Sequence, residues 1–243
     1  MNERAYKLKG VINGIDTSVY NPRTDKALFK RFTKSTFKDK ALNKKGLCAM
    51  LNLNYSESTP VVSMVTRLTE QKGLDLVMRV AEDILSRDLT LIVLGTGDWK
   101  YESALKELER RHENKVRALI TFSSDLANKI YGASDLFLMP SKFEPCGLSQ
   151  MIAMRYGTVP IVRETGGLKD SVIPFNEETG EGVGFTFKTY DAYDMLGAID
   201  RALAVYSDTE KWAKVAYNAM SADFSWKKSA KEYQKIYKEL INK

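Results

Sequence analysis

Only one histidine, His112, occurs in 243 residues. That disfavours a His-centred catalytic triad and a multi-histidine metal site. There are two cysteines, Cys48 and Cys146, with no metal-ligand spacing between them. They make no disulfide framework, and a reducing, cytoplasmic setting is the expectation. Apolar runs are short: none approaches the roughly 18 residues of a membrane helix. The opening Met1-Asn2-Glu3-Arg4 lacks the apolar core of a secretory signal. Neither an internal repeat nor a low-complexity segment is present. What is there is globular: 44% hydrophobic, 28% charged, net charge +6, pI about 9.1. The positive excess fits solvated helix faces, a polyanion-binding surface, or a few cations gathered around phosphate. The basic stretch 24–49 carries aromatics only at Phe29, Phe32 and Phe37, which argues against nucleic acid as a partner. No membrane partner is expected either.

From Pro60 onward, short apolar runs alternate with helical periodicities. Strands are expected at 61–65, 89–94, 116–122, 136–139 and 159–162, with a sixth at 183–187. Helices are expected at 74–86, 99–111, 126–132, 151–156, 192–206, 210–220 and 225–241. This is the α/β order of a doubly wound, Rossmann-like parallel sheet. Before it, 7–15 reads as a short strand ending at the Asn13-Gly14 turn, and 24–49 as a basic helical segment broken near Lys38. The chain therefore divides into a lead-in over 1–57 and a Rossmann-like domain with C-terminal helices over 58–243. Right-handed crossovers place every strand-to-helix loop on one edge of the sheet. Arg67, Lys72, Gly95, Phe122, Glu144 and Gly166 should then meet in one crevice, where open α/β sheets bind ligands.

The organising stretch is Ser141-Lys142-Phe143-Glu144-Pro145-Cys146-Gly147-Leu148-Ser149-Gln150. Glu144 reads as a group that orients sugar hydroxyls or stabilises positive charge at an anomeric carbon. A surface acid or a structural ion pair is the alternative. Gly147, Leu148 and Ser149 offer N–H groups and a hydroxyl to phosphate at a helix start. Cys146 reads as a packed thiol rather than a nucleophile. Arg67 and Lys72, a fork and a point charge at another helix start, suit a diphosphate. Gly95-Thr96-Gly97-Asp98 and Thr165-Gly166-Gly167 either let backbone approach a ligand or form tight bends. Phe122 either stacks on a base or packs in the core.

Together, three stretches resemble the bacterial glycogen synthase and plant starch synthase family. They are Arg67-Leu68-Thr69-Glu70-Gln71-Lys72-Gly73-Leu74-Asp75, the Phe143-to-Gln150 loop, and Tyr156-Gly157-Thr158 through Gly166-Gly167-Leu168-Lys169-Asp170. Asn13-Gly14-Ile15-Asp16 and Phe224-Ser225-Trp226 fit the same pattern. The resemblance implies the C-terminal, donor-binding half of a GT-B glycosyltransferase. Such an enzyme moves glucose from ADP-glucose, or UDP-glucose in some members, to the non-reducing end of an α-1,4-glucan with retention. The family's N-terminal acceptor domain, with its Lys-Thr-Gly-Gly-Leu loop, is absent, which implies a fragment. By the same resemblance Glu144, Arg67 and Lys72 carry turnover, with Arg67 and Lys72 on the diphosphate. Thr121 and Phe122 fall where an aromatic stacks on adenine. Leu148 and Ser149 meet the distal phosphate, flanked by Cys146 and Gly147. Gly95, Thr165 and Gly166 line the donor, and Asn13 approaches it from the interdomain cleft. No cofactor and no metal is implied. Many retaining GT-B enzymes have a second Glu eight residues after the first. Here that position is Ile152, as in glycogen and starch synthases. A non-catalytic nucleotide-sugar-binding module of another GT-B protein is the alternative reading.

Overall fold

The computed structural model describes residues 8–241. Six strands form one sheet: β1 (Val61–Val65), β2 (Thr90–Leu94), β3 (Val116–Leu119), β4 (Leu136–Met139), β5 (Val159–Arg163) and β6 (Phe185–Phe187). Every pairing is parallel and the order is β3-β2-β1-β4-β5-β6. The four central strands bury nearly every residue, as strands covered on both faces must. Side chains alternate between the faces. Val62, Met64, Leu91, Val93, Leu136 and Leu138 join the core on one side. Val61, Ile92 and Leu94 face a cluster on the other side, as do Phe137 and Met139.

The first face is covered by α2 (Leu74–Arg79), α3 (Ala81–Leu85), α4 (Trp99–Arg111) and α8 (Ala192–Ser207). The second is covered by α1 (Lys40–Met50), α5 (Ser124–Ala133), α6 (Ser149–Arg155) and α7 (Gly166–Ser171). Two further helices, α9 (Thr209–Ser221) and α10 (Trp226–Ile241), close the described chain. Leu47 and Cys48 of α1 pack in the same cluster as Val61 and Ile92, so the segment before Pro60 contributes to the core. Among the described residues no helix is long and apolar enough to cross a membrane.

Several local expectations are corrected. The lead-in strand does not form over 8–15, and Lys7 lies outside the described residues. Ile15 makes a single parallel bridge, to Ser225, and its N–H donates to Phe224 O at 2.8 Å. The segment packs against helices and the turn before α10, not against a strand, so it has no ladder to join. Residues 24–35 are turns and bends, and regular helix begins only at the 3-10 turn Phe37–Asp39. The N–H groups there are satisfied partly by turn carbonyls, as Asp25 to Asn21 O and Phe32 to Pro22 O, and partly by side chains: Asp25 accepts from Ala27 and Asn43 from Lys30. The helix expected at 74–86 is two, interrupted at Val80 (φ −119°, ψ 25°). Both halves face one core, so the apolar spacing runs through the break. The third strand stops at Leu119 because its neighbour β2 ends at Leu94, the residue opposite. Thr165-Gly166-Gly167 opens a helix, α7, where a bend was expected as one reading.

Candidate functional site: a cleft at the strand-order reversal

Strand order reverses between β1 and β4. Their ladder contact covers only Val62–Leu136 and Ser63–Phe137, whereas β1 pairs with β2 over five positions. Both strands run on two residues past their last pairing, so their C-terminal ends part. The loops leaving them are 66–73, with Arg67 and Lys72, and 140–148, with Glu144. Two loops seventy residues apart in sequence thus face each other across the reversal point.

They are fastened together. Lys72 Nζ and Glu144 Oε2 form an ion pair at 2.5 Å, with side chains 16% and 10% exposed. Ser141 Oγ lies 3.5 Å from the same oxygen. The Lys142 N–H donates to Gln71 O at 2.9 Å, and Lys142 Nζ pairs with Glu70 at 2.8 Å. Gly73 sits at φ 78°, and a Cβ there would stand 2.3 Å from Pro140 O, so only glycine allows the approach. Tyr190 braces the pair of loops from below. Its hydroxyl donates to Asp75 Oδ1 at 2.6 Å or to Glu70 O at 3.0 Å. Its ring lies between the Lys142 ammonium and the Arg163 guanidinium, 5.6 and 5.4 Å from the centroid. Arg163 in turn donates to Lys142 O at 2.7 Å.

The Glu144 peptide is held from behind. Gly167 N–H donates to Glu144 O at 3.1 Å, and a Cβ on Gly166 (φ 45°) would meet that oxygen at 2.2 Å. Buried Gln150 donates through Nε2 to Cys146 O, Gly147 O and Ser171 Oγ at 3.0–3.2 Å. Thr165, Gly166, Cys146 and Gly147 therefore form the support of the loop. They do not line the adjoining cleft.

That cleft has a volume of about 530 Å³. Of the residues expected there, Arg67, Gly95, Thr121, Phe122, Leu148 and Ser149 line it. Gly95 lies so near Thr66 O that a Cβ would overlap it, which keeps the cleft floor flat. Phe122 is 91% exposed, which removes it from the core and leaves its faces open. Arg67 is exposed, and its guanidinium makes no hydrogen bond or ion pair among the described residues. Asn13 is not brought in: it lines a separate cavity of about 250 Å³ beside Asp170 and Lys228. Among the described residues no group of three His, Cys, Asp or Glu side chains is placed to hold a metal.

Sequence reasoning missed one wall. Val19 and Tyr20 come from the early loop, and Ser123, Asn128 and Tyr131 from α5. Ser123 caps α5 by accepting from the Leu126 N–H at 3.2 Å, and a Ser before a periodic run is a readable helix start. Tyr131 is buried, which pushes its phenol pKa up. Nothing in the spacing of Tyr20 marks it, since its place depends on where the 16–25 loop packs. Tyr156 Oη donates to Asp25 at 2.5 Å and Arg155 Nε to Tyr20 O at 3.3 Å, and these fix that loop.

The model of the family described as "Glycosyl transferases group 1" matches residues 52–219. The chain is 50% identical over 240 residues to a glycogen synthase of Clostridium botulinum (strain Alaska E43 / Type E3), covering 99% of this chain and 50% of that protein. It is 52% identical over 242 residues to a glycogen synthase of Clostridium acetobutylicum, covering 99% and 51%. The chain thus spans about half the length of the curated relatives it matches. The catalytic domain of starch synthase IV from Arabidopsis thaliana, bound to ADP and acarbose, superposes with a TM-score of 0.90 at 38% identity. That match covers 100% of this chain and 51% of that one. The fold is the Rossmann-like half of a GT-B glycosyltransferase, and the chain belongs to the glycosyl transferases group 1 family.

Proposed function

We propose that this chain is the donor-binding half of a retaining glucosyltransferase. It takes glucose from ADP-glucose, with UDP-glucose as the less favoured donor. The glucose goes to the 4-OH at the non-reducing end of an α-1,4-glucan held by a second, acceptor-binding domain. The observation that carries the reading is the Lys72–Glu144 pair at the strand-order reversal, beside a cleft with an open Phe122 and an unengaged Arg67.

Each group has a defined role. The nucleobase stacks on Phe122. Arg67 takes the diphosphate through its planar fork, and Lys72 adds a point charge. Glu144 Oε2 is occupied by Lys72, while Oε1 has no partner among the described residues and is placed to accept from a glucose hydroxyl. In the transfer the C1–O bond to phosphate breaks and the acceptor O4–C1 bond forms on the same face. The acceptor proton passes to the leaving phosphate oxygen. Arg67 and Lys72 stabilise the charge that grows on the diphosphate, and Glu144 faces the positive charge on the sugar.

Amide-shift mapping with ADP-glucose tests the assignment. Shifts should concentrate in 66–73, 95–97, 121–124 and 144–149. Shifts confined to other surfaces contradict it, as does robust glucan elongation by the 243-residue chain alone.

A further inference from the structure

The sheet has a second cavity on its other edge. It lies against Asp135, which directly precedes β4, and Gly157, just before β5. Those are N-terminal strand ends, so the whole sheet separates this cavity from the cleft of the donor reading. Its volume is about 430 Å³, within the few hundred Å³ usual for small-molecule sites.

Four half-buried aromatics wall it: Phe37, Tyr55, Tyr206 and Trp212. Trp212 is held edge-to-face on Tyr206, with ring centroids 4.8 Å apart and planes at 68°. Its indole N–H makes no hydrogen bond among the described residues. The inner cations already have partners. Lys44 pairs with Asp135 at 3.0 Å and donates to Tyr206 Oη at 3.0 Å. Lys40 is surrounded by four oxygens, Tyr131 O, Gly132 O, Tyr156 O and Thr158 Oγ1, at 2.8–3.2 Å. At the rim stand Lys38, which has no ion-pair partner among the described residues, and Glu57, whose carboxylate among those residues accepts only a weak 3.4 Å bond from Tyr55. Lys44 is offset by Asp135 and Lys38 by Glu57; the one charge left over, on Lys40, is buried and already engaged by four protein oxygens, so it is not free to bind an anion. What it offers is aromatic surface with separate donors and acceptors at the edge, which matches a sugar ring with its apolar C–H face and rim of hydroxyls.

We propose that this cavity is a second, neutral-oligosaccharide site, which holds a glucan away from the reacting end. The site stands on its own geometry, and the choice of an α-1,4-glucan as its ligand rests on the proposed function.

The test uses the 243-residue chain, titrated calorimetrically with maltoheptaose and separately with ADP. Maltoheptaose should bind with or without saturating ADP. Trp212→Leu, which removes the π face and the N–H donor, should weaken maltoheptaose about tenfold, the scale of one aromatic contact. ADP affinity should stay unchanged. Tyr55→Ala, at the rim, should weaken it in the same sense and serves if Trp212→Leu fails to fold. Absence of maltoheptaose binding, its displacement by ADP, or binding indifferent to both variants overturns the inference. ADP binding without maltoheptaose binding leaves the donor reading standing; the reverse result removes that reading and keeps the sugar site.

Discussion

At the residue scale the central fact is that Glu144 holds Lys72 in an ion pair. A diphosphate must compete for that ammonium. Glu144→Gln frees it, so ADP should bind the variant several-fold more tightly by calorimetry, although glucosyl transfer by an enzyme containing this half is lost. Lys72→Met does the opposite. It leaves a mostly buried carboxylate unpaired, costs on the order of 3 kcal/mol in urea unfolding, and weakens ADP. Lys40 is the other decisive cation. Its four oxygens belong to α5, to Tyr156 just after α6 and to Thr158 just before β5, so one ammonium ties three segments together; Thr158 Oγ1 also donates to Tyr131 O at 2.6 Å. Lys40→Met should therefore cost about 3 kcal/mol with little change in ADP affinity. The sequence made Arg67, Lys72 and Glu144 legible as residue types at helix starts. It did not show that Lys72 and Glu144 touch, because that contact spans 72 positions and depends on strand order.

At the scale of elements, loop chemistry was easier to read than element boundaries. The β4 run and the loop after it stand where the apolar pattern put them. Continuous apolar spacing through Val80 hid a helix break, and the glycines of α7 hid a helix. Tyr190 was invisible as a site residue, since it acts only through Glu70, Asp75 and Lys142. Tyr190→Phe keeps the ring between its two cations and deletes the hydroxyl that braces the Lys72 loop. ADP should bind a few-fold more weakly while AMP, which does not reach the distal-phosphate position, binds as before. Equal losses for both contradict a bracing role. The start of α8 gives a pH prediction. Asp194 is held below its ordinary value of 3.8, chiefly by the Thr189 hydroxyl and then by the Thr189 and Lys188 N–H groups. Its contribution to stability is fully present above that ordinary value and is lost as pH falls through the lower, folded one. Asp194→Asn should flatten the acid limb of the stability–pH profile and leave its neutral part lower.

At the scale of the whole molecule, alternation of buried strands and helices was enough for a doubly wound parallel sheet. The order β3-β2-β1-β4-β5-β6 was not readable, and it is that order that gives the loops after β1 and β4 a shared crevice. Placement also decides what the cleft lacks. Asn13 lies on another cavity, and Val19 and Tyr20 supply a wall that no motif announced. The most direct test is a parallel calorimetric titration of the chain with ADP and UDP, with Arg67→Ala as the control. The account predicts that ADP binds, that UDP binds more weakly, and that Arg67→Ala weakens ADP at least tenfold. UDP binding as tight as ADP, or ADP binding indifferent to Arg67, contradicts it.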